Sequence, residues 1–255
     1  MSGIKGDFTG FRFGERHSSD LGITRVSDGS RYSDNLLPNL QDVTAQVPGG
    51  DGTYYNGSHY TQKPFNLSVA FDEVTKEQLG EMRVWLGSKD LQRLIFDESP
   101  YKYYMAKVSA PPQFKYICFE VDGKNIYKGE GTIQFTCYYP YAKSVEVFTL
   151  EGSKLNNNGV METDLFFNFG KSDSETVFTL GQRGMTLSPF SLKEGDVRVR
   201  YNSKANLLEG IDELGAITNN LYNEYIIAGD FFKLPVGESE FSGKVENLHF
   251  QKIYY

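Results

Sequence analysis

The chain has 255 residues, and aromatic residues, which favour strands, make up 15% of them. Lys and Arg number 26 against 33 Asp and Glu, so the net charge is −7, which argues against a nucleic-acid binder with a basic face. Mean hydropathy is −0.43, and no apolar run reaches the roughly 18–20 residues that span a bilayer. We therefore expect no transmembrane segment, and residues 1–7 lack the apolar run of a secretory signal.

The first stretch of unusual composition runs from residue 27 to residue 57. It is rich in Ser, Asp, Asn and Gly, and residues 48–52 form a strong turn cluster. This composition predicts an extended arm or long hairpin that buries little surface on its own domain. Contacts with a neighbouring subunit would then offset the entropy lost on ordering it. The apolar candidates for this interface with a neighbouring subunit are Leu36, Leu37, Leu40, Val43 and Val47.

The middle of the first half predicts one strand followed by one helix. Apolar side chains alternate over residues 65–71, which is typical of a half-buried strand. Thr75 and Gln78 then form a capping box, and apolar residues recur at helical spacing up to Leu86, just before Gly87. Further strands are predicted over residues 91–96, 101–108, 113–121 and 131–138.

After residue 143 the pattern changes to short strands separated by turns rich in Gly, Asn and Ser, which indicates a β-sandwich. We therefore expect two domains, residues 1–143 and 144–255. The predicted fold class is mainly β: an N-terminal β-sandwich-like domain with one α-helix and an extended arm or hairpin, followed by a C-terminal β-sandwich. The strands expected in the second domain cover residues 145–150, 164–169, 176–180, 184–192, 197–201, 225–227, 230–234 and 245–254.

Residues that could perform catalysis do not cluster in this sequence. The three histidines, His17, His59 and His249, have no ligand partners at metal-binding spacing. Neither a phosphate-binding glycine loop nor a serine nucleophile motif is present. Cys118 and Cys137 lie in consecutive predicted strands and are interpreted as reduced thiols. We therefore expect no catalytic, cofactor-binding or metal-binding residue, and a structural or binding protein rather than an enzyme.

Several motifs stand in a fixed order along the chain. Those of the first half are residues 11–13, 18–23, 47–53, 65–71, 85–86, 94–97, 131–137 and 139–141. A further motif, residues 230–237, lies near the C-terminus. In order and spacing, these motifs resemble those of the distal tail proteins of siphophages that infect Gram-positive bacteria.

This resemblance implies a structural role in the phage tail tip. It implies that the N-terminal domain forms a homo-hexameric hub ring, in which each subunit embraces its neighbour with the arm. It also implies a galectin-like C-terminal sandwich. The implied partners are the major tail tube protein, a tail-associated lysin or fibre protein and peripheral baseplate proteins, with DNA only passing through the channel and no membrane partner.

The implied location is the tip of the virion tail, assembled in the host cytoplasm, with no cofactor. The alternative that the residues leave open is a glycan-binding adhesin module used in host recognition. A direct titration with saccharides distinguishes this alternative from the hub.

Overall fold

A computed structural model describes residues 10–26, 37–46, 48–149 and 153–255. The chain divides into two compact units. The first domain is Met1–Lys143 together with Tyr255, and the second is Ser144–Tyr254. Strands dominate both, so the prediction of a mainly β protein is confirmed.

The described part of the first domain holds a single α-helix, α1 (Lys76–Leu86), and a short 3-10 helix at Ser18–Leu21. A further strand, β11 (Ala142–Ser144), lies at the domain boundary. The other described strands are, in chain order, β1 (Phe11–Phe13), β2 (Arg16–His17), β3 (Ile23–Arg25), β4 (Leu40–Gln46), β5 (Thr53–Tyr60), β6 (Lys63–Thr75), β7 (Gln92–Phe96), β8 (Lys102–Val108), β9 (Gln113–Val121) and β10 (Lys124–Cys137).

The main sheet of the first domain has the strand order β2-β1-β7-β8-β10-β6-β3. Strand β10 is central to it, because β6 pairs along almost all of one edge. Its other edge is shared: the segment Phe135–Cys137 pairs with β8, and the segment from Lys124 to Thr132 pairs with β9. Strands β6 and β9 therefore lie on opposite sides of β10.

Alternation along β6 produces the core of the first domain. Phe65, Leu67, Val69 and Phe71 are all buried, which confirms the predicted half-buried strand. Helix α1 covers this core through Trp85, whose ring stacks on Phe11 with 5.7 Å between centroids. The Trp85 Nε1–H also donates a hydrogen bond of 2.8 Å to the Phe13 carbonyl.

The predicted start of α1 is confirmed. The Gln78 amide donates to Thr75 Oγ1 at 3.3 Å, and the Thr75 amide donates to Gln78 Oε1 at 2.9 Å. This reciprocal pair satisfies two donors that a helix N-terminus leaves unpaired. The helix ends before Gly87, whose amide donates to the Arg83 carbonyl.

The second domain consists of two antiparallel sheets. One has the order β12-β22-β14-β17-β18-β19 and the other β13-β21-β15-β16-β20. The strands of these two sheets are β12 (Phe148–Thr149), β13 (Lys154–Asn157), β14 (Leu165–Phe169), β15 (Thr176–Leu180), β16 (Arg183–Leu187), β17 (Arg198–Asn202), β18 (Leu207–Ile211), β19 (Ile217–Leu221), β20 (Ile226–Gly229), β21 (Gly237–Ser242) and β22 (Glu246–Phe250). The last strand, β23 (Ile253–Tyr254), belongs to neither sheet.

The two sheets of the second domain pack face to face over an aromatic core, as the sequence predicts. The Phe167 ring in β14 stacks on Tyr201 at 4.4 Å and contacts Phe178 and Phe241 of the opposite sheet at 5.0 and 5.5 Å. The predicted strand over 230–234 is wrong: only Leu234 pairs, in an isolated bridge.

A buried carboxylate ties two segments of the second domain together: Asp196 and residues 218–222. Asp196 accepts hydrogen bonds from Thr218 Oγ1 at 2.7 Å, Asn220 Nδ2 at 3.0 Å and the Tyr222 hydroxyl at 2.5 Å. Burial raises the pKa of Asp196, but these three hydrogen bonds outweigh it, and the pKa lies below its ordinary value of 3.8. Burial and the bond to Asp196 raise the pKa of Tyr222 to about 12.

Replacing Asp196 with Ala should destabilise the second domain by about 2–3 kcal/mol, because three donors lose their charged acceptor. The stabilisation by Asp196 is present above pH 3.8 and is lost as the pH falls through the lower pKa of the folded chain. Amide hydrogen exchange of β18 and β19 measures both effects. Glu194→Ala, at an exposed position two residues away, is the control, and equal exchange in the two variants would contradict the prediction.

Candidate functional site

Strands β4 and β5 form a hairpin that pairs with no other described strand. All residues of β4 are exposed, and in β5 only Gly57 and Tyr60 are partly buried. Two-stranded hairpins are marginally stable in water without a packed face. The hairpin therefore has few packing partners within the described first domain, as expected for the predicted arm.

Exposed apolar side chains lie along this hairpin and just before its first strand. Leu37, Leu40 and Val43 are 55%, 60% and 44% exposed. Tyr54 and Tyr55, which the sequence analysis did not single out, are 66% and 63% exposed. The remaining candidates, Leu36 and Val47, lie outside the described residues. The assignment of these residues to a ring interface stays a prediction.

Glycine permits the backbone path of the hairpin. Gly49 and Gly52 have φ of 78° and 91° in the connection between the strands. The register then shifts between Asp42 and Thr44, because one residue of β4 lies opposite two residues of β5. One of these two residues is Gly57, which has a φ of 105°. These positions favour glycine, because other residues adopt such angles at a steric cost.

Hydrogen bonds and ring contacts hold the root of the hairpin on the domain, whereas the rest of the hairpin pairs with no other described strand. The Asn39 amide donates to the Gln62 carbonyl at 2.8 Å, and the Thr61 amide donates to the Asn39 carbonyl at 2.9 Å. The Tyr60 ring makes edge-to-face contacts with Tyr141 and Tyr255 at 6.3 and 6.4 Å. The hairpin therefore leaves the domain in a defined direction.

The hairpin is also acidic. Between residues 37 and 62 the charged side chains are Asp42 and Asp51, and the segment contains no Lys or Arg. Both aspartates lie at exposed positions. A partner for this surface is thus expected to combine apolar contact with positive charge.

Among the described residues, Ser19, His17 and Asp97 form an arrangement that resembles a Ser–His–Asp catalytic triad. The His17 ring contacts Ser19 Oγ from Nδ1 at 2.6 Å and Asp97 Oδ1 from Nε2 at 2.9 Å. However, the Ser19 amide also donates to Nδ1, and Asp97 accepts a bond from the Gly10 amide. These contacts cap the short helix at Ser18–Leu21 and attach it to the sheet, which is a structural role.

Within the described parts of the chain, no group of three or more His, Cys, Asp or Glu side chains is arranged to hold a metal ion. No helix there is long and apolar enough to cross a membrane. Cys118 lies opposite Tyr127 in the β9–β10 ladder, ten residues along β10 from Cys137, so the two thiols are not neighbours.

The family comparison finds a match within the first domain. Residues 17–137 match the model of the phage tail protein RIFT-related domain. The match contains the hairpin, helix α1 and all of β10. Residues 17–137 are therefore similar to a phage tail protein domain, and the resemblance of the chain to the distal tail proteins is confirmed. No curated protein sequence matches the chain significantly.

Solved structures extend the likeness to both domains. The SPP1 Dit (gp 19.1) protein, described as a paradigm of the hub adsorption apparatus in Gram-positive infecting phages, has a TM-score of 0.63 at 11% identity. The match covers 97% of this chain and 99% of that one, so the two share a fold. A chain of the phage P2 baseplate with Ca gives a TM-score of 0.48 at 10% identity, covering 97% of this chain and 98% of that chain.

Amide hydrogens of β4 and β5 should exchange faster than those of β6 over residues 65–71 in dilute, monomeric protein. The hairpin lacks a third strand and a packed face, whereas β6 pairs with β10 along this whole segment and with β3 over residues 69–71, and buries alternate side chains. Peptide-resolved hydrogen exchange makes this comparison within one sample. Equal protection of the two segments would show that the isolated chain already covers its hairpin.

Proposed function

We propose that this chain is the structural hub subunit of a siphophage tail tip, assembled into a hexameric ring. The observation that carries the proposal is the exposed hairpin, which leaves a phage tail domain with apolar residues along its length and no packing partner among the described strands. The likeness of the fold over both domains to the SPP1 Dit protein supports the same role.

Energetic considerations favour a second copy as the partner of the hairpin. Ordering the backbone costs about 1–2 kcal/mol per residue, and exposed strands recover little of it within the chain. Burying the exposed Leu37, Leu40 and Val43 would contribute about 25 cal/mol per Å² of apolar surface. A contact repeated head to tail generates a closed ring when the rotation between copies closes.

The two domains have separate roles in this proposal. Residues 1–143 form the ring, which joins the major tail tube protein on one face and a tail-associated lysin or fibre protein on the other. The C-terminal domain, a galectin-like sandwich, points outward and offers a docking face to peripheral baseplate proteins. DNA only passes through the channel, and the subunit has no enzymatic role. The protein assembles in the host cytoplasm and ends in the virion.

The oligomeric mass of the purified full chain tests this function. A mass of six subunits by native mass spectrometry, with ring-shaped particles in electron micrographs, is the expected result. A chain that remains monomeric at concentrations well above those of assembling tails would contradict the proposed hub.

The triple variant Leu37→Ser, Leu40→Ser, Val43→Ser should give folded monomers. Loss of three buried apolar contacts weakens each interface by about 100-fold or more, whereas exposed side chains contribute little to the stability of the isolated chain. Analytical ultracentrifugation measures the assembly, and circular dichroism verifies the fold.

The matched control replaces three exposed apolar residues of the second domain, Val197, Leu214 and Ile227, with Ser. This control should assemble like the unaltered chain. If the control dissociates while the hairpin variant assembles, the second domain makes the ring and the assigned roles are wrong.

A further inference from the structure

A groove opens in the first domain between helix α1 and the connection from β8 to β9. Its volume is about 760 Å³. Helix α1 contributes Leu79, Met82 and Leu86 to its floor, and the connection and the start of β9 contribute Pro112 and Phe114. These side chains make the floor apolar, so burial of an apolar partner there is favourable.

The rim of the groove is positively charged. Arg83 and Lys89 lie at the rim in exposed positions, and Lys107 is partly buried beside them. None of the described residues that line the groove is acidic. Although the chain as a whole has a net charge of −7, this surface carries three positive charges. It therefore complements the hairpin, which carries Asp42 and Asp51 and no positive side chain.

The strands next to the groove and next to the hairpin pair with opposite edges of β10. The hairpin leads directly into β6, which pairs with one edge of β10. The groove is lined by the end of β8 and the start of β9, which pair with the other edge of β10. Two complementary surfaces on opposite sides of one strand suit a head-to-tail contact between copies.

We propose that this groove receives the β4–β5 hairpin of a second copy of the chain. The inference rests on the proposed hub function and names the surface that the hairpin contacts. Exposed tyrosine and leucine side chains of the hairpin cover the apolar floor, while Asp42 and Asp51 face Arg83 and Lys89 of the neighbouring copy.

Two charge-reversed chains test the contact. The hairpin variant is Asp42→Lys, Asp51→Lys, and the groove variant is Arg83→Glu, Lys89→Glu. Each alone brings like charges together at every interface, so the concentration needed for assembly should rise by about tenfold or more. All four positions are exposed, so both variants should fold, and melting temperatures verify this.

Mixing the two variants provides the decisive measurement. The positive hairpin of one variant meets the negative groove of the other, and the unaltered hairpin meets the unaltered groove. Every interface in an alternating ring is then complementary, so an equimolar mixture should assemble with equal numbers of each chain. A control chain with Lys204→Glu and Lys244→Glu in the second domain should not rescue the hairpin variant.

The outcomes separate this inference from the proposed function. Rescue by the groove variant alone supports the contact. If the hairpin variant fails to assemble, the groove variant assembles normally and the mixture gives no rescue, then the hairpin docks elsewhere; the inference is overturned while the hub function stands. If the unaltered chain forms no oligomer, the proposed function itself fails, and the inference fails with it.

Discussion

The long antiparallel ladder between β6 and β10 determines where everything else in the first domain lies. Eleven residue pairs join Lys63–Thr75 to Lys124–Cys137, interrupted by one register shift near Gly129. Because side chains alternate along a strand, this ladder presents Phe65, Leu67, Val69 and Phe71 to one buried face, against which α1 packs. Sheet, helix and hairpin root are all attached to these two strands.

The ladder also separates the two surfaces that the proposals use. The hairpin enters at the Lys63 end of β6, and α1 begins at its other end, after Thr75. The strands β8 and β9 divide the remaining edge of β10, and the connection between them, together with α1, forms the groove. A rigid central pair holds both surfaces in fixed positions within one subunit, which repeated contacts between copies require.

The elements that the sequence predicted correctly depend on patterns among residues close together in the chain. The start of α1 depends on Thr75 and Gln78, three residues apart, and the buried face of β6 depends on strict alternation. Both are properties of neighbouring residues, so the sequence predicts them without knowledge of the rest of the fold. The same holds for the exposed β4–β5 hairpin, which lies in a stretch rich in Ser, Asp, Asn and Gly.

The features that the sequence did not predict depend on contacts between residues far apart in the chain. Residues 230–234 have the apolar content of a strand, but their backbone is not paired as a strand. Instead, the Phe232 amide donates a hydrogen bond to the buried Tyr201 hydroxyl, and this hydroxyl donates a hydrogen bond to the Phe232 carbonyl. Strand β10 begins seven residues before its predicted start, because β6 and β9 pair with its glycine-containing first half from both sides. The groove depends on residues from α1 and β9 that only the folded sheet brings together, so no sequence pattern indicated it.

The distribution of charge connects the two proposed surfaces. The net charge of −7 determines the electrostatic repulsion between whole chains. The energy of a contact between copies depends instead on charges within about one Debye length, roughly 8–10 Å. At that range, the groove carries Arg83, Lys89 and Lys107, and the hairpin carries two aspartates. Like net charges disfavour unspecific association between subunits, whereas the local opposite charges favour one orientation. In the proposed assembly, the combination would therefore favour a head-to-tail contact over other ways in which two copies could meet.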